Sequence, residues 1–139
     1  MTLFKRFQAS QFLRFAIVGG IGFVFNEAVR DVAIRGLKFD PYVGGVAAFL
    51  VTVTFTWGGN RYLTFREKAA HGAKNVLEEW FKFVAANALG FVANYTVYAS
   101  LVTFAPVPLG NPYVALAFGT LAGLIFNFTL SKRFVFRAG

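Results

Sequence analysis

A cluster of polar residues interrupts an apolar stretch near the start of the chain. Glu27, Arg30 and Asp31 follow Asn26 at spacings that place them on one face of a helix, where they can pair. An unpaired charge at the middle of a bilayer costs roughly 2.5–3.5 kcal/mol, so such groups need partners, a water-filled cavity or a role. Either these residues form a polar site facing a helix bundle, or the helix ends early and Arg30 and Asp31 lie in the outer headgroup layer.

Two of the apolar segments end in basic residues, as Asn60-Arg61 and Lys132-Arg133. Arginine can hold a phosphate through two parallel hydrogen bonds, and lysine supplies a point charge. This pattern predicts binding of a lipid phosphate, and the alternative is ordinary anchoring at the cytoplasmic headgroups.

Asn94 is a further candidate, because it lies in the second half of the chain at the place that Asn26 has in the first. The two amides are expected to face each other, where they would receive a polar headgroup or hold helices together.

Composition excludes several classes of chemistry. The chain has no cysteine and a single histidine, His71, and it lacks a glycine-rich phosphate loop and a nucleophile beside a base. We therefore expect no catalytic residue, no metal site, no cofactor and no enzyme activity. With 57% hydrophobic and 14% charged residues, the chain is typical of a membrane protein. Its net charge of +8 then favours contact with anionic lipid headgroups over nucleic acid.

Four membrane-spanning helices are predicted, since a crossing needs about 20 residues. No charge occurs between Phe83 and Ser131, and Pro106, Pro108 and Gly110 divide this stretch into two helices. The predicted spans are residues 15–34, 42–59, 83–104 and 113–130. The first of these is apolar only as far as Phe25 and must continue through the polar cluster to about Ile34. A signal peptide is the rival interpretation of the first apolar run, but no small-residue cleavage site follows it.

The basic residues predict the orientation. Most of them lie before the first span, between the second and third, or after the fourth, whereas only Arg30, Arg35 and Lys38 lie toward the other side. Lysine and arginine are enriched in cytoplasmic loops. Both termini are therefore predicted to be cytoplasmic, in a multi-pass protein of the cytoplasmic membrane.

The two halves of the chain resemble each other. Gly-Phe-Val-x-Asn, Pro-Tyr-Val and a basic-x-x-x-Phe-Arg ending recur in the same order, with one short insertion in the second half. We predict an all-α transmembrane domain over residues 1–139 with two parallel tandem repeats, 12–66 and 80–137, joined by a cytoplasmic connection, 67–79. A site on the axis between them would be lined by both copies. The alternative is that duplication only built a compact bundle. Small residues such as Gly119 and Gly123 fit helix packing, and a homo-oligomer is expected.

Three stretches of the sequence resemble the GtrA-like family: residues 12–20, 60–65 and 132–136. The resemblance extends from Phe12 to Arg137, although Ser131 stands where the family has an asparagine. It implies translocation of a polyprenyl-phosphate-linked sugar across the membrane in polysaccharide or glycolipid synthesis, with membrane glycosyltransferases as partners. In that interpretation Arg61, Lys132 and Arg133 receive the phosphate, and Asn26, Glu27, Asn94, Arg30 and Asp31 line the route of the headgroup.

Two other functions fit the residues. A proton-coupled small multidrug transporter would also have four helices and a glutamate in the first, here Glu27. A non-transporting subunit that recruits a glycosyltransferase would need only the helices.

Overall fold

Every regular element of the chain is helical in the computed structural model, which describes residues 2–137 without the side chains of residues 4 and 7–9. The α-helices are α1 (Leu3–Asp31), α2 (Pro41–Gly59), α3 (Ala73–Phe104) and α4 (Pro112–Leu130). Five-residue π-helical turns extend three of them: Val32–Gly36 after α1, Asn60–Thr64 after α2 and Ser131–Val135 after α4. We call the last two the α2 π-turn and the α4 π-turn.

Local sequence explains where α2 and α4 begin. The side chain of Asp40 accepts a hydrogen bond from the Tyr42 amide at 2.8 Å, and that of Asn111 accepts one from the Tyr113 amide at 2.9 Å. A proline follows each cap at the first helical position, where its missing N–H costs nothing. The cap and the proline together start both helices within one residue of the predicted spans.

Three helical segments are long and apolar enough to cross a membrane: Ser10–Gly36, Pro41–Thr64 and Pro112–Val135. The prediction that the first helix continues through its polar cluster to about Ile34 is confirmed, because the helical backbone reaches Gly36. Helix α3 is not among the three segments, although it has 32 residues. Asn87, Asn94 and the tyrosines of α3 lower its hydropathy. It also starts at Ala73, so part of the predicted connection is helical.

The chain divides into two compact units. Unit 1 ends at Val76, and unit 2 comprises Leu77–Arg137. In unit 1, α1 packs on α2 through close approaches at glycines. A methyl group on Gly59 would come within 3.0 Å of Val18, and one on Gly22 would overlap the Thr56 methyl group. The buried core of this unit includes Phe15, whose ring meets that of Phe65 edge to face with centroids 6.2 Å apart.

In unit 2, α3 and α4 also pack through close approaches at glycines. A methyl group on Gly123 would lie 3.0 Å from the Asn94 Cβ, and one on Gly90 would overlap the Asn127 amide. Phe83 and Phe136 are each 1% exposed, and their rings meet edge to face with centroids 5.9 Å apart. Small residues thus let backbones approach closely, as in other membrane helix pairs.

Candidate functional site

The polar cluster of α1 lies near the end of that helix. Glu27 and Arg30 are exposed, and Asn26 is half-buried. Asp31 pairs with Arg35, at 3.1 Å between carboxylate and guanidinium, across one turn of the helical backbone. Both side chains of this pair are more than half exposed, so the pair contributes at most about 1 kcal/mol. Sequence reasoning did not name Arg35 as a partner, although its spacing of four residues from Asp31 signalled it.

Asn94 is half-buried on α3 and lies against the glycines of α4. A methyl group on Gly119 would come within 2.7 Å of the Asn94 Oδ1 atom, and one on Gly123 would meet its Cβ. Within unit 2 the amide therefore packs against the backbone of the neighbouring helix, as the helix-packing alternative for this residue requires. Its proposed role toward a headgroup stays a prediction.

The α2 π-turn buries its asparagine. Asn60 is 1% exposed, and its Oδ1 accepts a hydrogen bond of 2.7 Å from the hydroxyl of Thr64, itself 4% exposed. The next residue, Arg61, lies half-buried over the ring of Trp57 at 5.8 Å and donates a hydrogen bond to the Ala70 carbonyl. Arg61 thus holds the connection after α2 in place, in addition to carrying positive charge to this end of the unit.

The α4 π-turn presents its cations differently. Ser131 is completely buried, and its hydroxyl has no hydrogen-bond partner among the described residues. Lys132 lies 5.7 Å from the centroid of the Phe128 ring, and Arg133 is exposed. Insertions of one residue into a helical turn occur often at functional sites. Here the turn places a lysine and an arginine at the end of an apolar span.

Sequence reasoning did not single out Gln11 or Glu79, whose polar side chains are buried among the described residues. Gln11 is 7% exposed and donates a long hydrogen bond of 3.5 Å to the carbonyl of Thr64. Glu79 is 2% exposed in unit 2. The repeat offered a signal, because the offset that aligns Phe15 with Phe83 also aligns Gln11 with Glu79.

Among the described residues, no group of three or more histidine, cysteine or acidic side chains could hold a metal ion. The cations of the two π-turns, by contrast, suit an anion with several oxygens.

Comparisons with known proteins give one finding. A search of curated proteins finds no match. A family model described as GtrA/DPMS, transmembrane domain, matches residues 14–136, which include both π-turns. This match confirms the family resemblance that was noted in the sequence. Since the match covers most of the chain, the protein belongs to the GtrA/DPMS transmembrane-domain family, whose members are membrane proteins that handle sugars on glycosyl-carrier lipids.

Proposed function

We propose that this protein moves a polyprenyl-phosphate-linked sugar from the cytoplasmic to the outer leaflet of the cytoplasmic membrane, for polysaccharide or glycolipid synthesis. The observation that carries the proposal is the family match over residues 14–136. The family is membrane-associated and generally non-catalytic, which favours a role in moving a lipid-linked sugar over one in making it. A glycosyltransferase that makes the lipid and another that consumes it are the partners this role requires.

In the proposed topology all four helices cross the membrane, with both termini cytoplasmic. Helix α3 is the fourth crossing, because it carries no charge from Phe83 to its end and joins α4 through a short proline-containing turn. The excess of lysine and arginine at the chain ends and in the central connection supports the orientation.

Equivalent contacts in the two units support the proposed duplication. The Phe15–Phe65 ring pair corresponds to the Phe83–Phe136 pair at nearly the same centroid distance. The α2 and α4 π-turns occur at equivalent positions, and each has its first cation over an aromatic ring one turn earlier. Two unrelated helix pairs would not be expected to share this combination, which supports the proposal that the repeats derive from one ancestral helix pair.

We assign the phosphate of the carrier lipid to Lys132 and Arg133, with Arg61 adding positive charge at its own π-turn. Asn60 supports the α2 π-turn from within. We assign contacts with the sugar headgroup to polar side chains within each unit: Asn26, Glu27, Arg30 and Asp31 of α1 in unit 1, and Asn94 of α3 in unit 2. Their amides, carboxylates and guanidinium group match the hydroxyl groups of a sugar, which both donate and accept hydrogen bonds.

The test is lipid movement in liposomes that contain the purified protein and a fluorescent polyprenyl-phosphate sugar. Arg133→Gln should slow the movement severalfold, because a charge-assisted hydrogen bond to phosphate is lost. Arg66→Gln is the matched control, since Arg66 is equally exposed but lies after the α2 π-turn.

Three experimental outcomes would each contradict a different part of the proposal. Wild-type protein that moves no lipid but co-purifies with a glycosyltransferase would replace the proposal with a recruiting subunit. Proton release on binding a lipophilic cation, lost in Glu27→Gln, would replace it with a drug transporter. Equal rates for Arg133→Gln and Arg66→Gln would refute the phosphate assignment alone.

A further inference from the structure

A groove of about 230 Å³ runs along the surface of unit 2 between α3 and the end of α4. Four residues of α3 line one side: Lys82, Ala85, Ala86 and Leu89. Their spacing of three, four and seven residues forms a single stripe on the helix, about 10 Å long at 1.5 Å per residue. The opposite side is formed by Leu130, Phe134 and Val135, the last two of which belong to the α4 π-turn.

The groove is polar at one end only. All of its described lining side chains are apolar except Lys82, which is exposed at the end of the stripe nearest the start of α3. The α4 π-turn that forms the other wall carries Lys132 and Arg133. A ligand that matches the apolar walls and the positive charge at this end has an apolar chain and one anionic group at its terminus.

Small side chains on α3 create the groove. Unit 1 has Ile17 and Val18 at the positions that Ala85 and Ala86 occupy in unit 2. Val18 fills the space over Gly59, whereas in unit 2 the small Ala86 and the large Leu130 stand at these places. The α3 stripe thus has less side-chain volume than its counterpart in unit 1, while Leu130 adds volume to the opposite wall.

The size of the groove decides what can lie in it. Pockets for drug-sized molecules usually measure about 300–1,000 Å³, which is larger than this groove. A single hydrocarbon chain, by contrast, fits a groove that is narrow, apolar and charged at one end.

We propose that this groove binds the first part of the prenyl chain of the carrier lipid, with the phosphate at Lys82. The inference rests on the proposed function and deepens it, because it assigns the chain of the substrate to unit 2. The groove holds the chain while Lys132 and Arg133 approach the phosphate from the adjoining π-turn.

The test uses full-length protein in detergent and a polyprenyl phosphate that carries a photoreactive diazirine beside the phosphate. In wild-type protein the crosslinks should map to peptides containing the groove residues of α3 and of the α4 π-turn. Ala85→Ile restores the unit 1 side chain and should weaken binding several-fold, because the larger side chain fills space that the prenyl chain would occupy. Ala88→Ile adds the same volume to an exposed position of α3 outside the groove and should leave binding unchanged.

Lys82→Gln should weaken binding roughly threefold at low salt, as expected for an exposed ion pair. Lys74→Gln, which removes an exposed charge before the span, is its control. Unchanged affinity in a correctly folded Ala85→Ile protein would overturn the groove assignment, as would crosslinks that map to unit 1 or to a second copy of the chain. Equal competition by phosphatidic acid would also overturn it, because the site would then not select a single chain. Failure of wild-type protein to bind polyprenyl phosphate at all would instead refute the proposed function.

Discussion

Units 1 and 2 share a scaffold but use their polar residues differently. Both bury an edge-to-face phenylalanine pair, and both end in a π-turn. In unit 1 the turn is held by polar contacts, since Asn60 accepts from Thr64 and Arg61 donates to a carbonyl of the following connection. In unit 2 the corresponding Ser131 and Val135 form no such bond among the described residues. Unit 1 thus stabilises this end through polar contacts, whereas we propose that unit 2 binds a ligand here.

The same contrast extends along the helices. In unit 1 Val18 packs against Gly59, whereas in unit 2 the small Ala86 and the larger Leu130 line a groove. After a duplication, one copy can keep the packing and the other can accumulate changes that admit a substrate. We therefore expect equivalent substitutions in the two units to have equal effects where the units share a contact, and unequal effects where their contacts differ.

The largest effect is expected where the units are alike. Phe15→Ala and Phe83→Ala should each destabilise the protein by about 3–5 kcal/mol, because each removes a buried ring from its partner. The measurement is thermal unfolding of the purified protein in detergent. Phe23→Ala and Phe91→Ala, at equivalent positions that are 68% and 67% exposed, should have little effect. A large loss from only one of the two core substitutions would break the proposed equivalence of the units.

The helix contact of unit 2 comes next. Gly119→Val should cost about 1–3 kcal/mol, since the added side chain would meet both the side chain and the backbone oxygen of Asn94. Gly58→Val on α2 is the control, because a methyl group there would meet no atom within 4 Å. The measurement is again unfolding in detergent. Equal stability of the two variants would mean that α3 and α4 do not approach each other at Gly119.

The π-turns should respond in opposite ways to the same kind of change. Asn60→Ala should destabilise by about 1–3 kcal/mol, because it leaves the buried Thr64 hydroxyl without its acceptor. Ser131→Ala at the equivalent position should be neutral within about 0.5 kcal/mol, or stabilising, since its buried hydroxyl makes no hydrogen bond. Denaturation midpoints of the two variants against wild type give the comparison. A larger loss from Ser131→Ala would reverse the proposed division between the units.

The smallest effects are expected at the cations of the π-turns. Arg61→Gln removes the hydrogen bond to Ala70 and the contact with Trp57, so it should speed proteolysis of the following connection by an amount equivalent to about 1 kcal/mol. Lys132→Gln should leave proteolysis unchanged and instead weaken polyprenyl-phosphate binding a few-fold, by less than about 1 kcal/mol. Limited proteolysis and lipid binding on both proteins separate these roles. Faster proteolysis of Lys132→Gln together with weaker lipid binding by Arg61→Gln would contradict the proposed difference between the units.

Much of the architecture followed from local signals in the sequence. The predicted starts of two spans, residues 42 and 113, lie within one residue of the observed helices, because the caps Asp40 and Asn111 and the prolines after them act only on neighbouring residues. The apolar composition predicted a lipid environment, and residues 12–20, 60–65 and 132–136 resembled the family that the chain belongs to. These properties depend on residues close together in the chain or on its average composition.

Burial and shape depended on tertiary packing. The sequence did not indicate that Asn60 is buried and Arg133 is exposed. Both are polar residues that lie next to a basic residue at the end of an apolar helix. The burial of Glu79 arises only when unit 2 folds around it. Likewise, Ala85 is an ordinary alanine in the sequence, and it becomes part of a groove only because α4 ends opposite it. Hydropathy and capping act within a helix, whereas a binding site is the space that two packed helices leave between them.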